Sequence, residues 1–348
     1  MLADCGRAWF RGALREMAEE PRSPEPKPST PPPRGAGDSA SPPVIPEFKE
    51  GSLLWRATGV IKQMRPEQWV KNAFVLAPLV FAKHLTHSSI ILSAVGGFGV
   101  FCLLASGIYT MNDLVDVEQD RIHPKKRFRP IASGRVPVWA GKILAGVLIL
   151  TALLGAAVGP REFLVAAVAY LALQIAYTFK LKHLAYVDVG CIAAGFVLRV
   201  LAGSYAVRVE PSGYMLACTA LLALCLGFGK RRHELAGANA AKQRAALEQY
   251  SPKVLTSLLA LTAVVTIATY LAYTLDPATE AMFGSQWLWV TTIHPMFGLL
   301  RFLQLVVGGT KSESPTQEIL RDVPFMMNLV LYAIEVIVII YQVRPGGA

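Results

Sequence analysis

Long apolar runs separated by short polar stretches occupy most of this chain after its first few dozen residues. Nine of them, at about 72–88, 89–111, 136–157, 161–179, 188–207, 212–229, 254–275, 286–308 and 323–342, approach or exceed the roughly 20 residues that cross a bilayer core as a helix. The expected fold class is therefore all-α: a polytopic membrane protein with nine transmembrane helices. The first run is the weakest, broken by Pro78 and interrupted by Lys83 and His84.

Composition agrees with that setting. Of 348 residues, 53% are hydrophobic and only 17% charged, with a mean hydropathy of +0.42, which is too apolar for an ordinary soluble domain of this size. The net charge of +10 invites a nucleic-acid reading, but lysine and arginine fall in short loops between apolar runs rather than on one soluble face. No nucleic-acid partner is expected; the charge belongs to membrane topology and to anionic substrates. Loops 112–135, 180–187 and 230–253, together with Lys311 and Arg321, collect the cations on one side, against Lys83, Arg161, Arg208 and Arg344 on the other. The asymmetry predicts an inside amino terminus, an outside carboxyl terminus and a functional face toward the cytoplasm, as in a multi-pass protein of a bacterial inner (cytoplasmic) membrane.

Residues 1–48 differ from the rest, with ten prolines between Pro21 and Pro46, and predict a disordered or polyproline tail ahead of a transmembrane domain spanning 49–348. No apolar stretch of signal-peptide length follows the first methionine, so no cleaved export signal is expected. Cys5, Cys102, Cys191, Cys218 and Cys225 form no CxxC pair, and four lie in apolar runs, as buried small hydrophobes do.

The chemistry gathers in one stretch, NDLVDVEQDRIHPKKRFRPIASG, at the inner end of the second run. If that helix continues through Asp120, then Asn112, Asp113, Asp116 and Asp120 share one face at spacings of three and four. Three carboxylates and an amide oxygen that close repel one another unless a cation sits between them, and hard oxygen donors favour magnesium over zinc or copper. Magnesium held by one or two carboxylates completes its shell with water and substrate phosphates, which implies a diphosphate substrate. A plain solvated acidic helix end is the alternative. Lys125, Lys126, Arg127 and Arg129 follow, before Pro130 and the IASG turn; the two arginines flank a rigid turn and suit phosphate oxygens, whereas the lysines read as inside-positive topology charges. His123 and His233 lack a matching set of metal ligands.

These residues resemble the UbiA superfamily of intramembrane prenyltransferases, whose first signature is an NDxxDxxxD box matched by Asn112, Asp113, Asp116 and Asp120. From about Arg65 onward the chain is most similar to one branch, the decaprenyl-phosphate phosphoribosyltransferases. Arg65, Pro66, Gln68, Trp69, Lys71 and Asn72 match its RPxQWxKN motif, and His123 to Gly134 follow its HPxKRxRPIASG continuation. Tyr177, Lys180, Lys182, Asp188, Val189, Ile192, Gly195, Phe196 and Arg199 occupy the second signature, with Thr178 in place of a serine; the local spacing leaves either Lys180 or Lys182 for the family's lysine role. Lys230, Arg231, Arg232 and Glu234 resemble a third, KRxxEL segment.

The resemblance implies transfer of a 5-phosphoribosyl group from phosphoribosyl diphosphate to a polyprenyl phosphate, with magnesium, in the supply of cell-envelope arabinan precursors. Asp113, Asp116, Asp120 and Asp188 are its expected catalytic residues. Lys71, Asn112, Arg127, Arg129, Tyr177, Lys180, Lys182, Arg199, Lys230 and Arg231 are its expected substrate contacts. Several alternatives stay open: Asp188 as ribose or second-magnesium ligand against a salt bridge to Lys182 or Arg199; Tyr177 as phosphate donor against an interfacial anchor; Lys71 as ligand of the lipid phosphate or diphosphate against snorkelling. Arg199, deep in an apolar run, predicts a buried anion or an aspartate partner. Residues 236–249 suggest an amphipathic helix over the mouth, as connector or lid, and homo-oligomerisation stays open. An aromatic or quinone prenyltransferase is the alternative function, disfavoured by the cation surplus. A transporter is the distant third, since the carboxylates gather on one side rather than lining a path.

Overall fold

The computed structural model describes residues 51–81, 87–236, 249–307, 319 and 321–341. The proline-rich tail, Lys83 and His84, and most of 236–249 lie outside the described residues. All regular structure among the described residues is helical. A short helix α1 (Leu53–Met64) leads into a 3₁₀ segment (Pro66–Leu76) and α2 (Ala77–Phe81). Next come α3 (Ser88–Val115), α4 (Val117–Ile122), α5 (Val138–Val158), α6 (Arg161–Phe179), α7 (Val187–Ala206) and α8 (Gly213–Ala236). The remainder is α9 (Pro252–Thr274), α10 (Pro277–Phe283), a 3₁₀ turn (Trp287–Thr292), α11 (Ile293–Val307) and α12 (Val323–Tyr341).

Six of these, α3 and α5 to α9, are long and apolar enough to cross a membrane. The first predicted run differs from expectation. Instead of one helix over 72–88, the chain forms a 3₁₀ stretch and the five residues of α2, with Pro66 at its start and Pro78 within it. Proline withholds a backbone N–H and crowds the preceding turn, which explains why this run does not propagate as a regular α-helix.

The centre of the bundle is α7: 56% of its apolar window is buried, against 28% for α5 and α6, which turn more of their surface outward. It packs on α6 and α8, and the 3₁₀ segment wedges between it and α3. Gly203 makes that wedge possible, because a Cβ there would meet the Val75 carbonyl oxygen at 2.1 Å. Phe101, Leu104, Phe163, Tyr170 and Ala202 fill one half of the core; Val189, Cys225, Leu255, Leu259 and Phe302 fill the other. Cys102, Cys191 and Cys225 are buried and Cys218 half-buried, all four as free thiols. Leu92, Leu154, Val264 and Val330 point outward, as a lipid-facing surface requires.

Candidate functional site

The acid-rich segment stays helical past its box with one interruption. Asp116, at φ −93° and ψ 9°, separates α3 from α4, yet its N–H still bonds the Asn112 carbonyl and its carbonyl accepts from Asp120 N–H at 2.9 Å. The spacing read from sequence therefore survives the kink. Asp113 and Asp120 are each 2% exposed, and Asp116 and Asn112 are half-buried.

Asp113 and Asp120 converge on a single guanidinium nitrogen, while Asp116 meets a separate cation. Arg129 Nη1 bridges Asp113 Oδ1 at 3.0 Å and Asp120 Oδ2 at 2.6 Å, while Lys182 Nζ approaches Asp116 Oδ1 at 3.2 Å. Arg65 Nη2 meets both Asp113 oxygens, at 2.6 and 2.7 Å, and Gln63 Nε2 donates to Oδ2 at 2.8 Å. Each carboxylate is thus met by a cation brought from another element, which removes the repulsion that a bare cluster would suffer. Among the described residues no three His, Cys, Asp or Glu side chains gather closely enough to hold a metal by themselves. The donor chemistry nonetheless fits magnesium, which needs only one or two protein carboxylates alongside phosphate and water oxygens.

Local sequence explains how these partners arrive. Pro66 disfavours a right-handed helical conformation at Arg65, which sits at φ 54°, ψ 59°, ends α1 and turns its guanidinium toward Asp113. Arg135 docks α1: its Nε donates to the Trp55 carbonyl at 2.8 Å, its Nη2 reaches Thr58 Oγ1, and its guanidinium lies 5.2 Å over the Trp55 ring. Gly134, at φ 77°, closes the turn that carries Arg129 and Arg135.

A second buried acid lies on α7. Asp188 is 0% exposed, with Arg231 Nε at 2.7 Å on one oxygen and the Tyr250 hydroxyl on the other. It is bridged by Arg231 of α8, a cation the salt-bridge alternative did not name, because the end of α8 closes over the start of α7. Arg231 also pairs with Glu234 one turn on. Tyr250 accepts the Tyr186 N–H at 2.9 Å and meets its ring at a tilt of 58°, holding Tyr186 at φ 64°. Burial, followed by its bond to Asp188, pushes the Tyr250 hydroxyl well above its ordinary pKa.

The third group has the opposite character. Arg199, 5% exposed, donates from Nε to Asn72 Oδ1 at 2.8 Å, from Nη1 to the Gly195 carbonyl at 2.9 Å and from Nη2 to the Tyr170 hydroxyl at 2.6 Å. All three acceptors are neutral, so the aspartate side of the expectation is not met by these contacts, and the buried-anion side stays open. Lys71, next to Asn72, is solvent-accessible although protein surrounds it. Burial first, then Arg199 and Arg65, lowers its pKa from the ordinary lysine value.

The other expected residues are placed as follows. Tyr177 is half-buried and lies near Arg231. Lys180 is exposed at the end of α6, so of the two candidate lysines it is Lys182 that meets the acid box. Lys230 faces Glu234 at 3.9 Å, and Arg127 is exposed over the Phe128 ring. His123 accepts the Lys125 N–H at 3.2 Å, a local turn contact. Gln63 and Tyr250 were not singled out from sequence, and Arg65 only as part of a motif. The amphipathic pattern of 53–64 ahead of Pro66 was the one available signal for α1.

The model of the UbiA prenyltransferase family matches residues 73–321. A decaprenyl-phosphate phosphoribosyltransferase of Mycolicibacterium smegmatis is 36% identical over 277 residues, covering 76% of this chain and 87% of that relative. One from Mycobacterium tuberculosis is 37% identical over 270 residues, covering 76% and 88%. Among solved structures, a UbiA homolog from Archaeoglobus fulgidus bound to GPP and Mg2+ superposes with a TM-score of 0.62 at 18% identity, covering 81% of this chain and 99% of that one. At that identity the likeness speaks for the fold alone.

Proposed function

The chain belongs to the UbiA prenyltransferase family, and on that premise we propose that it moves a 5-phosphoribosyl group from phosphoribosyl diphosphate to a polyprenyl phosphate, releasing diphosphate. The observation that carries this reading is the number of separate cations directed at one end of the bundle: Arg65, Arg129 and Lys182 on the acid box, Arg231 on Asp188, and Lys71 and Arg199 with no carboxylate of their own. A neutral aromatic acceptor would leave those last two charges without purpose.

In this reading Asn112, Asp113, Asp116 and Asp120 hold magnesium, which supplies charge neutralisation for the departing diphosphate. Arg129 and Lys182 hold Asp113, Asp120 and Asp116 in place and stand where diphosphate oxygens arrive, with Arg127, Lys180 and Lys230 at the more exposed rim. Asp188, oriented by Arg231 and Tyr250, accepts from a ribose hydroxyl, beside Tyr177. The C1–O bond to diphosphate breaks as a C1–O bond to the acceptor phosphate forms. The acceptor is already ionised near neutral pH, so no general base is called for. Nine spans, a cytoplasmic mouth in a bacterial inner membrane, a role in envelope-polysaccharide supply and a tail domain at 1–48 complete the proposal.

The test is turnover by detergent-purified protein given labelled phosphoribosyl diphosphate and a polyprenyl phosphate. Label should enter the organic phase with magnesium and stop on chelation. Label that stays aqueous, while a prenyl diphosphate alkylates an aromatic acid, would replace this function with the aromatic one.

A further inference from the structure

We infer that the open side of α1 is a docking surface for the anionic headgroup layer of the membrane at the acid-box end of the bundle. The inference rests on the membrane setting and is independent of the reaction. Only Gly59 and Gln63 of this 12-residue helix are buried. Its ties to the rest of the protein are polar: Arg135 holds the Trp55 carbonyl and Thr58, while Gln63 and the adjoining Arg65 hold Asp113. Gly59 lets Arg135 approach, since a Cβ there would meet Arg135 Cγ at 2.8 Å.

The apolar residues of α1 lie on the side away from Gly59 and Gln63. Leu53 is 85% exposed, Leu54 62% and Ile61 58%, with Ala57 also exposed. At helical spacing these residues share an arc of about 100°. Arg56 borders that arc on one side and Lys62 on the other, both exposed. A helix of this length is marginal alone and is ordinarily held by burial of its apolar face. In α1 the protein covers the polar side and leaves the apolar side open, so the burial is supplied by something other than the described residues. An apolar arc with a cation at each border suits a helix lying in the interface, its hydrocarbon among acyl chains and its cations at anionic headgroups. Its level in the bundle agrees, because Gln63 and Arg65 meet Asp113 near the end of α3, where that span leaves the apolar layer. A second copy of this chain docking through the same face would set Arg56 and Lys62 against their own like charges, which disfavours that occupant.

The test places a fluorophore on Leu54→Cys of the full-length protein in nanodiscs holding one protein each, with the unsubstituted protein correcting for its own cysteines. The discs are phosphatidylcholine with a minor share of phosphatidylglycerol or phosphatidylcholine bearing a nitroxide near the headgroup. Both nitroxide lipids should quench the fluorophore. The phosphatidylglycerol form should do so at severalfold lower content, since each cation is worth about fivefold in attraction to an anionic surface. Replacing Arg56 and Lys62 together by Gln should remove most of that preference while quenching by the phosphatidylcholine form persists. Leu54 and Ile61 are both exposed, so Leu54→Cys and Ile61→Cys should fold and report alike. Absence of quenching at both positions overturns the surface, as does shielding that appears only in discs holding two copies. Equal quenching by the two lipids, or a preference that survives loss of both cations, overturns the headgroup assignment.

Discussion

The acid box and the pair Lys71 and Arg199 both lie within reach of Arg65 and are electrostatic opposites. Around Asp113, Asp116, Asp120 and Asp188 every carboxylate has a cation within hydrogen-bonding or ion-pair distance. Around Arg199 every acceptor is neutral, and Lys71 meets only like charge. The paired region can hold its geometry before substrate arrives, which is what a displacement with an in-line requirement needs. The unpaired region has affinity in reserve for an anion that the protein does not supply.

The paired side breaks most severely at its most buried bridge. Arg231→Met removes a cation from the fully buried Asp188 carboxylate, and should cost about 3–5 kcal/mol in detergent unfolding. Asp113→Asn keeps the shape but removes a charge that organises Arg65, Arg129 and Gln63. Turnover should fall about 10²–10³-fold with helicity unchanged by circular dichroism.

The unpaired side should respond in the other direction. Lys71→Met removes a like-charge contact and should stabilise the free protein by under about 1 kcal/mol while weakening phosphate binding. The sign of its pH dependence is also set: with the folded pKa below the unfolded value, the unfolded chain binds the proton more tightly. Stability should therefore rise with pH across the window below the ordinary lysine pKa, and this rise should vanish in Lys71→Met. Arg121→Ala, at the exposed Arg121–Glu118 pair on α4, belongs to neither region and should change stability by less than about 0.5 kcal/mol.

What could be read in the sequence depended on whether the relevant contacts were local. The acid box was legible because its members sit three and four residues apart on one helix, and the kink at Asp116 did not disturb that register. The six long spans were legible because lipid demands long uninterrupted apolar runs. The role of Arg129 was half legible: phosphate chemistry follows from its charge, but its bridge between Asp113 and Asp120 needs the turn at Gly134. Contacts that join distant elements left no pattern. Gln63 reaches Asp113 across 50 residues, and Arg231 reaches Asp188 across 43. The regular helix expected over 72–88 failed because hydropathy records burial but not the prolines' effect on backbone hydrogen bonding.

The most direct test of the account offers the purified protein both donors and both acceptors at once. Phosphoribosyl diphosphate, a prenyl diphosphate, a polyprenyl phosphate and an aromatic acid are mixed with magnesium, and the products are identified by mass spectrometry. The account predicts a polyprenyl phosphate heavier by one phosphoribosyl group, formed mole for mole with released diphosphate. A prenylated aromatic acid, with the polyprenyl phosphate unchanged, would contradict it.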